Sequence, residues 1–226
     1  MEIVPIAHIE SDFAGKFGVP RQSGIVPSLR SRIVFEPPYR DESALRGICE
    51  FSHLWLIWGF SETAGKGWSP TVRPPRLGGN ARIGVFASRS PFRPNPLALS
   101  SVALVAVEPV PEKGLTLVVA GADLLDGTPI YDIKPYIAYT DSHSAARCGF
   151  TDTVPKQEVT VVIPAELSKN IPLDKLETLK QVLALNPIPA YHNDPNRVYG
   201  FSFAGYEIKF TVACSILQVV DIMRIK

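Results

Sequence analysis

Cysteine is scarce in this sequence and forms no recognisable framework. Cys49, Cys148 and Cys214 are an odd number of widely spaced residues without a C-x-x-C pair. This pattern excludes a disulfide scaffold and a cysteine-rich zinc site, and it is typical of a reducing compartment. The four histidines are scattered, with no i, i+4 pair and no neighbouring cysteine. We therefore expect no metal site.

Long hydrophobic runs are also missing. The longest apolar stretches, 54–60 and 97–107, fall short of the ~18 residues that a spanning helix needs, and they predict buried strands. The N-terminal residues carry Glu2, Glu10 and Asp12 where a signal peptide has an apolar core. We therefore expect a cytoplasmic protein without membrane contact.

Neither sign of charge is in excess, because 23 basic residues face 22 acidic ones. That balance excludes a protein that coats polyanions through bulk charge. The apolar fraction of 46% is too high for a disordered chain. What the chain does have is proline, at 21 of 226 residues, nearly twice the usual ~5%. This abundance disfavours a helical bundle and favours short strands and rigid loops.

The hydrophobic pattern predicts a mainly β protein. Strands are expected at 3–9, 32–35, 51–60, 97–107, 115–122 and 130–133. The composition becomes polar after residue 141, which indicates a linker. We expect an antiparallel β-barrel domain over 1–142, followed by a small α+β domain over 150–226.

The second domain should contain one clear helix and several strands. Residues 174–185 have a helical period of leucines, with Asp174 and Glu177 spaced as a carboxylate capping box. Asn186-Pro187 should end that helix. Strands are expected at 157–163 and 215–225, with a hairpin of 197–203 and 206–213.

Nucleotide-binding and hydrolase motifs are incomplete or absent in this sequence. Residues 59–67 resemble a P-loop, but Gly67 replaces the Ser or Thr that would hold magnesium. The glycines of 78–84 do not form G-x-G-x-x-G, so a Rossmann site is unsupported. There is also no G-x-S-x-G nucleophile elbow. The motifs identify no catalytic base or nucleophile.

A long proline-rich segment is free of acidic residues. Between Glu62 and Glu108 every charge is positive: Lys66, Arg73, Arg76, Arg82, Arg89 and Arg93. The planar arginine fork suits phosphates, carboxylates and stacked bases. The segment is therefore either a surface for an anionic ligand or RNA, or a solvated loop whose charges pair with Asp123, Asp126 and Asp132.

Residues 72–100, VRPPRLGGNARIGVFASRSPFRPNPLALS, closely resemble the signature of the TsaA-like, or TrmO-type, family. Further matches follow in order along the chain: KFGVPRQSG at 16–24, FSHLWLIWGF at 51–60, DLLDGTPIYDIKPYIAYTDS at 123–142, NPIPAY at 186–191 and YGFSFAGYEIKF at 199–210. This family comprises β-barrel enzymes that use S-adenosylmethionine to methylate N6 of threonylcarbamoyladenosine, next to the anticodon at tRNA position 37. The resemblance implies that activity, a tRNA anticodon loop as partner, and a homodimer with the cofactor site near its interface.

The resemblance also implies a set of site residues. The expected S-adenosylmethionine pocket comprises Pro20, Arg21, Gln22, Ser61, Glu62, Arg89, Leu99, Asp126, Gly127 and Thr128. The expected tRNA-binding residues are Arg73, Arg76, Arg82, Arg93, Lys134 and Tyr191. For Trp55 and Trp58 we favour core packing over base stacking, and Tyr199 is a second candidate stacking platform beside Tyr191.

Two other functions remain open from the sequence. The barrel could be an RNA-binding module without chemistry, or it could methylate a small molecule with the same cofactor. Cofactor binding separates the first alternative from the enzyme, and a comparison of native with unmodified tRNA separates the second.

Overall fold

The computed structural model describes residues 2–63, 65–77, 81–153, 158–188 and 194–225. Its strands are β1 (Ala7–Glu10), β2 (Arg30–Phe35), β3 (His53–Gly59), β4 (Thr71–Val72), β5 (Ile83–Gly84), β6 (Leu97–Val110), β7 (Gly114–Ala120), β8 (Pro129–Pro135), β9 (Thr160–Val162), β10 (Tyr199–Phe203), β11 (Tyr206–Ala213) and β12 (Ile216–Arg224). Its α-helices are α1 (Ala138–Asp141), α2 (Ala165–Ser168) and α3 (Leu173–Ala184). The prediction of a mainly β protein is confirmed.

Six strands form a closed barrel in the order β1-β2-β7-β6-β3-β8. Each neighbouring pair is antiparallel, and β8 closes the ring by pairing with β1. The strands form because alternate residues are apolar and turn to one side, where they lose contact with water. The fully buried members of this core include Ile9, Ile33, Leu56, Leu117 and Ile130.

A second sheet has the order β10-β11-β12-β9, and β9 joins it parallel to β12. Helix α3 contributes Leu176, Leu179, Val182 and Leu183 to the core beside this sheet. The N-terminal loop, residues 11–29 between β1 and β2, also contributes to this core: Phe13, Val26 and Leu29 are fully buried in it. The N-terminal loop therefore connects the barrel to the second core.

The predicted capping box of α3 is wrong. The helix begins at Leu173, and Pro172 is its N-cap without a side-chain hydrogen bond. Glu177 pairs instead with Lys180, at 2.9 Å from its Nζ. Proline fits this position because its φ of −57° and ψ of 147° are the extended values typical of an N-cap residue.

Two glycines allow the N-terminal loop to pack closely against its neighbours, one against the barrel and one against the second sheet. At Gly121, where φ is +77°, a Cβ would lie 3.1 Å from the Gly24 backbone, to which it is hydrogen-bonded. At Gly18, a Cβ would lie 2.5 Å from the Phe201 ring. Only glycine fits either position, and residues 20–23 lie between the Gly18 contact with the second sheet and the Gly24 contact with the barrel. Within the described residues, no helix is long and apolar enough to cross a membrane.

Candidate functional site

A cavity of about 620 Å³ lies where β3 ends and β6 begins. The N-terminal loop, both of these strands, the loop before β6 and the segment after β7 contribute to its wall. Its lining residues are Pro20, Arg21, Gln22, Trp55, Ile57, Trp58, Phe60, Ser88, Arg89, Arg93, Leu97, Ala98, Leu99, Ser100 and Asp123. Its volume falls within the ~300–1,000 Å³ of small-molecule sites.

Several residues of the predicted cofactor pocket meet in this wall. Pro20, Arg21, Gln22, Arg89 and Leu99 all line the cavity. Nη1 of Arg89 donates a hydrogen bond to Oε1 of Gln22, and Nε2 of Gln22 donates to the Arg21 carbonyl. The loop that carries Arg89 is thus joined to the N-terminal loop at the cavity, although Arg89 and Gln22 are 67 positions apart.

A buried polar chain on the cavity wall escaped the sequence analysis. The Trp58 indole donates to Oγ of Ser100 at 3.0 Å, and Ser100 donates to Oδ1 of Asp123 at 2.6 Å. Burial raises the pKa of the Asp123 carboxyl above its usual range, against the opposing effects of the Ser100 hydrogen bond and the Arg89 charge. Polar residues within otherwise apolar strand ends were the signal that could have revealed this chain.

Trp55 forms another part of the wall and is held in place from behind. Its indole donates to Oδ2 of Asp141 at 2.8 Å, and its ring lies 5.4 Å from that of Tyr136. Hydrogen bonds from the Ile137 backbone and from Trp55 lower the pKa of Asp141. Trp58 is buried, as predicted, but Trp55 is only partly buried and faces the cavity. An aromatic plane fixed in this way can receive a flat ligand.

Other predicted cofactor residues do not line this cavity. Ser61 and Glu62 form an exposed turn, and Glu62 lies 3.5 Å from Nζ of Lys16. The 126–128 turn supports the N-terminal loop: the Asp126 carboxylate accepts from the Ser11 N–H at 2.9 Å, the Gly127 N–H donates to the Ile9 carbonyl, and Thr128 is buried. Cofactor binding by these residues stays a prediction.

The predicted tRNA-binding arginines differ in their surroundings. Arg73 and Arg82 are exposed, and Arg82 donates to Oγ1 of Thr71 at 3.2 Å. Arg93 turns inward and donates to the carbonyls of Val85 at 3.1 Å and Ser88 at 2.8 Å. Arg93 therefore supports the loop that carries Arg89, and tRNA binding by this residue stays a prediction.

The remaining predicted tRNA-binding residues are Lys134, which lies in β8 outside the arginine segment, and two residues whose side chains lie outside the described part of the chain. Exposed Lys134 is paired with Asp132 at 2.8 Å. Tyr191 lies outside the described residues, as does the side chain of Arg76. Tyr199 is not an exposed stacking platform, because it is buried and its ring stacks on Phe210 at 5.6 Å.

Among the described residues, the anticipated pairing of the arginine segment with nearby aspartates is limited to the electrostatic interaction of Arg89 with Asp123. No ion pair joins Arg73, Arg82 or Arg93 to a carboxylate in that part of the chain, while Asp132 pairs with Lys134. Within the same ranges there is also no group of three or more His, Cys, Asp or Glu side chains that could hold a metal. Exposed Arg73 and Arg82 thus have no carboxylate ion pair in the described part of the chain.

The fold and the site define a β-barrel protein with a ligand cavity at one end and a basic loop beside it. The N-terminal domain model of tRNA-methyltransferase O matches residues 8–142, and the C-terminal domain model of the same family matches residues 157–225. The chain belongs to the tRNA-methyltransferase O family, as the sequence resemblance predicted.

Curated relatives and solved structures agree with this assignment. The chain is 40% identical to the tRNA (adenine(37)-N6)-methyltransferase of Escherichia coli, with 92% of this chain and 91% of the relative covered. It is 42% identical to the enzyme of the same name from Eikenella corrodens, covering 78% and 99%. A crystal structure of TrmO from Pseudomonas aeruginosa has a TM-score of 0.79 at 30% identity, covering 98% of this chain and 97% of that one.

Proposed function

We propose that this protein is an S-adenosylmethionine-dependent methyltransferase that methylates N6 of threonylcarbamoyladenosine at position 37 of tRNA. The observation that carries the proposal is the cavity in which Arg89, Gln22 and Asp123 meet beside Trp55. Relatives named tRNA (adenine(37)-N6)-methyltransferase match most of this chain, which supports the same reaction here.

The cavity chemistry fits the cofactor. A guanidinium at Arg89 suits the methionine carboxylate, and the Asp123 carboxyl suits a cationic group. The Trp55 plane and the exposed Leu99 side chain provide apolar area for a nucleobase. When bound, S-adenosylmethionine supplies an activated methyl group.

The protein's own task in this reaction is mainly alignment. The rigid contacts of Arg89 with Gln22 and of Asp123 with Ser100 fix polar groups around one volume. Such fixed groups can hold donor and acceptor within ~3–3.5 Å of each other. The acceptor N6 lies between a purine and a carbonyl, which makes its proton more acidic than that of a plain exocyclic amine. A strong general base is therefore not required.

The proposal includes the domain division and the assembly. A barrel core and a second core beside α3 support a barrel domain over 1–142 and a small α+β domain over 150–226, with Phe13, Val26 and Leu29 of the first domain packed into the second core. A homodimer, which the family resemblance implies, is also part of the proposal. A cytoplasmic location follows from the tRNA substrate.

Mass spectrometry of nucleosides provides the direct test. Native threonine tRNA incubated with the protein and S-adenosylmethionine should gain one methyl group on threonylcarbamoyladenosine. An unmodified transcript of the same tRNA should gain none. Cofactor binding without methylation of native tRNA would contradict the proposal, and so would methylation of the unmodified transcript. A barrel that binds RNA without chemistry should bind tRNA but not the cofactor.

Arg73→Ala is expected to weaken tRNA binding and to flatten its salt dependence, because Arg73 is exposed and has no carboxylate partner among the described residues. Loss of one phosphate contact lowers the slope of log K against log salt by roughly 0.7–0.9. Cofactor affinity should not change. The measurement is tRNA binding by filter retention at several salt concentrations, with Arg46→Ala as the control because Arg46 is exposed outside the segment. An unaltered slope in Arg73→Ala would make this residue a solvated charge.

A further inference from the structure

Large aromatic side chains are exposed within the acid-free segment. Trp68 is 54% exposed, Phe86 is 74% exposed and Phe92 is 41% exposed. Burial of apolar side chains of this size is favourable, so leaving three of them in water on one short segment is unfavourable for the isolated chain. Their exposure therefore indicates a binding partner.

The backbone around these residues is a single hydrogen-bonded unit. Strands β4 and β5 pair with each other, the Val85 N–H donates to the Pro70 carbonyl at 3.0 Å, and the Ser69 N–H donates to the Phe92 carbonyl at 3.4 Å. The residues that carry the aromatic rings are thus neighbours in space. We refer to Trp68, Phe86 and Phe92 as the aromatic surface.

Arg93 links the aromatic surface to the cavity. Its guanidinium lies 5.7 Å from the centre of the Phe86 ring while it donates to the Val85 and Ser88 carbonyls. The same side chain lines the cavity, as do Ser88 and Arg89. A cation packed on a ring holds that ring in place. Phe86 is therefore fixed at the rim of the cavity and presented to solvent.

The charges around the aromatic surface select its partner. Arg73 and Arg82 are exposed nearby, and the whole segment between Glu62 and Glu108 lacks an acidic residue. Single-stranded RNA offers the complementary chemistry, since its phosphates match the arginines and its bases stack on aromatic rings.

We propose that the aromatic surface stacks unpaired bases of the anticodon loop next to the base that enters the cavity. This inference rests on the proposed function. It adds the contacts that bind the anticodon loop: arginines contact its phosphates, and Phe86 and Trp68 contact its bases. Stacking is sequence-tolerant, because every base has a flat face. The surface consequently serves different tRNA species that share the modified adenosine.

The test measures binding of an anticodon stem–loop RNA to the full-length protein at several salt concentrations. Phe86→Ala and Trp68→Ala should each weaken binding about tenfold, the order expected for one stacked base. The salt slope should stay at the wild-type value, unlike that of Arg73→Ala, because no phosphate contact is lost. Phe86→Leu should behave like Phe86→Ala, since it keeps apolar area but loses the flat ring.

Phe51→Ala is the matched control, because Phe51 is 37% exposed and precedes the opposite end of β3. Its affinity should equal that of the wild type. Cofactor affinity and thermal unfolding of Phe86→Ala should also be unchanged, which excludes collapse of the Arg89 loop.

Two results would overturn the inference. The first is wild-type stem–loop affinity and wild-type KM for native tRNA in both aromatic variants while methylation proceeds; the proposed function would then survive alone. The second is loss of self-association in the Phe86→Ala variant by sedimentation velocity, which would assign the aromatic surface to a contact between copies. A wild-type protein that neither binds the stem–loop nor methylates tRNA would instead contradict the proposed function itself.

Discussion

Arg89→Lys and Gln22→Ala should each raise the Kd for S-adenosylmethionine about tenfold. Each substitution removes the hydrogen bond between the two side chains at the cavity wall, and such bonds to charged groups contribute ~1.5–3 kcal/mol. Lysine keeps the charge of Arg89 but cannot reproduce the planar fork that contacts an amide and a carboxylate together. The measurement is calorimetric titration of cofactor.

Turnover distinguishes positioning from direct chemistry in these variants. At saturating cofactor most of the methylation rate should return, because alignment and not proton removal limits the reaction. The double variant should show less than additive loss, since both single changes break the same contact. Arg82→Lys is the matched control, because Arg82 lies in the same segment away from the cavity lining. Normal cofactor affinity with abolished turnover would be incompatible with the assigned role of Arg89.

Asp123→Asn should lower cofactor affinity by about tenfold at neutral pH and remove its pH dependence. The cofactor carries a sulfonium cation and an ammonium, so it favours the ionised form of Asp123 over the protonated one. Because the pKa of Asp123 is raised by burial, wild-type affinity should increase as pH rises through that pKa. Asparagine keeps an acceptor for the Ser100 hydroxyl but carries no charge at any pH.

Asp123→Asn should lower cofactor affinity, but it should not lower the free energy of unfolding at neutral pH. A carboxyl whose pKa is higher in the folded protein binds more protons when folded, so the free energy of unfolding falls as pH rises from the ordinary value of 3.8 through the raised one. Asp123→Asn should abolish that fall, and its cofactor-free form should be at least as stable as the wild type at neutral pH. Urea unfolding at several pH values measures this difference.

Asp152→Asn is the control for both measurements, since Asp152 is exposed and has no contact with the cavity lining. An Asp123→Asn variant with wild-type cofactor affinity at all pH values would exclude contact between this carboxyl and the cofactor. Asp123→Ala should cost ~1–3 kcal/mol of stability, because it leaves the Ser100 hydroxyl without its acceptor.

Residue patterns predicted the class of fold, and the family resemblance indicated the loops whose residues line the cavity. Alternation of apolar residues predicted most barrel strands, and the family resemblance placed residues 20–22, Arg89 and Leu99 at one site, where they all line the cavity. Local signals were less reliable where tertiary packing competed with them. Pro172 takes the N-cap position of α3 that was predicted for Asp174, and Tyr199 is buried in a ring stack where exposure was predicted.

By itself, the sequence determined the mainly β composition, the family and the positive, proline-rich loop, because these depend on residue type and order. Only the tertiary structure decided which strands are neighbours. Barrel closure places Trp58, Ser100 and Asp123 in one hydrogen-bonded chain although 42 and 23 residues separate the bonded pairs. Alternation specifies the face that a side chain takes, but not the partner that it meets across the barrel. For the same reason, Arg93 supports the Arg89 loop while Arg73 and Arg82 remain in solvent.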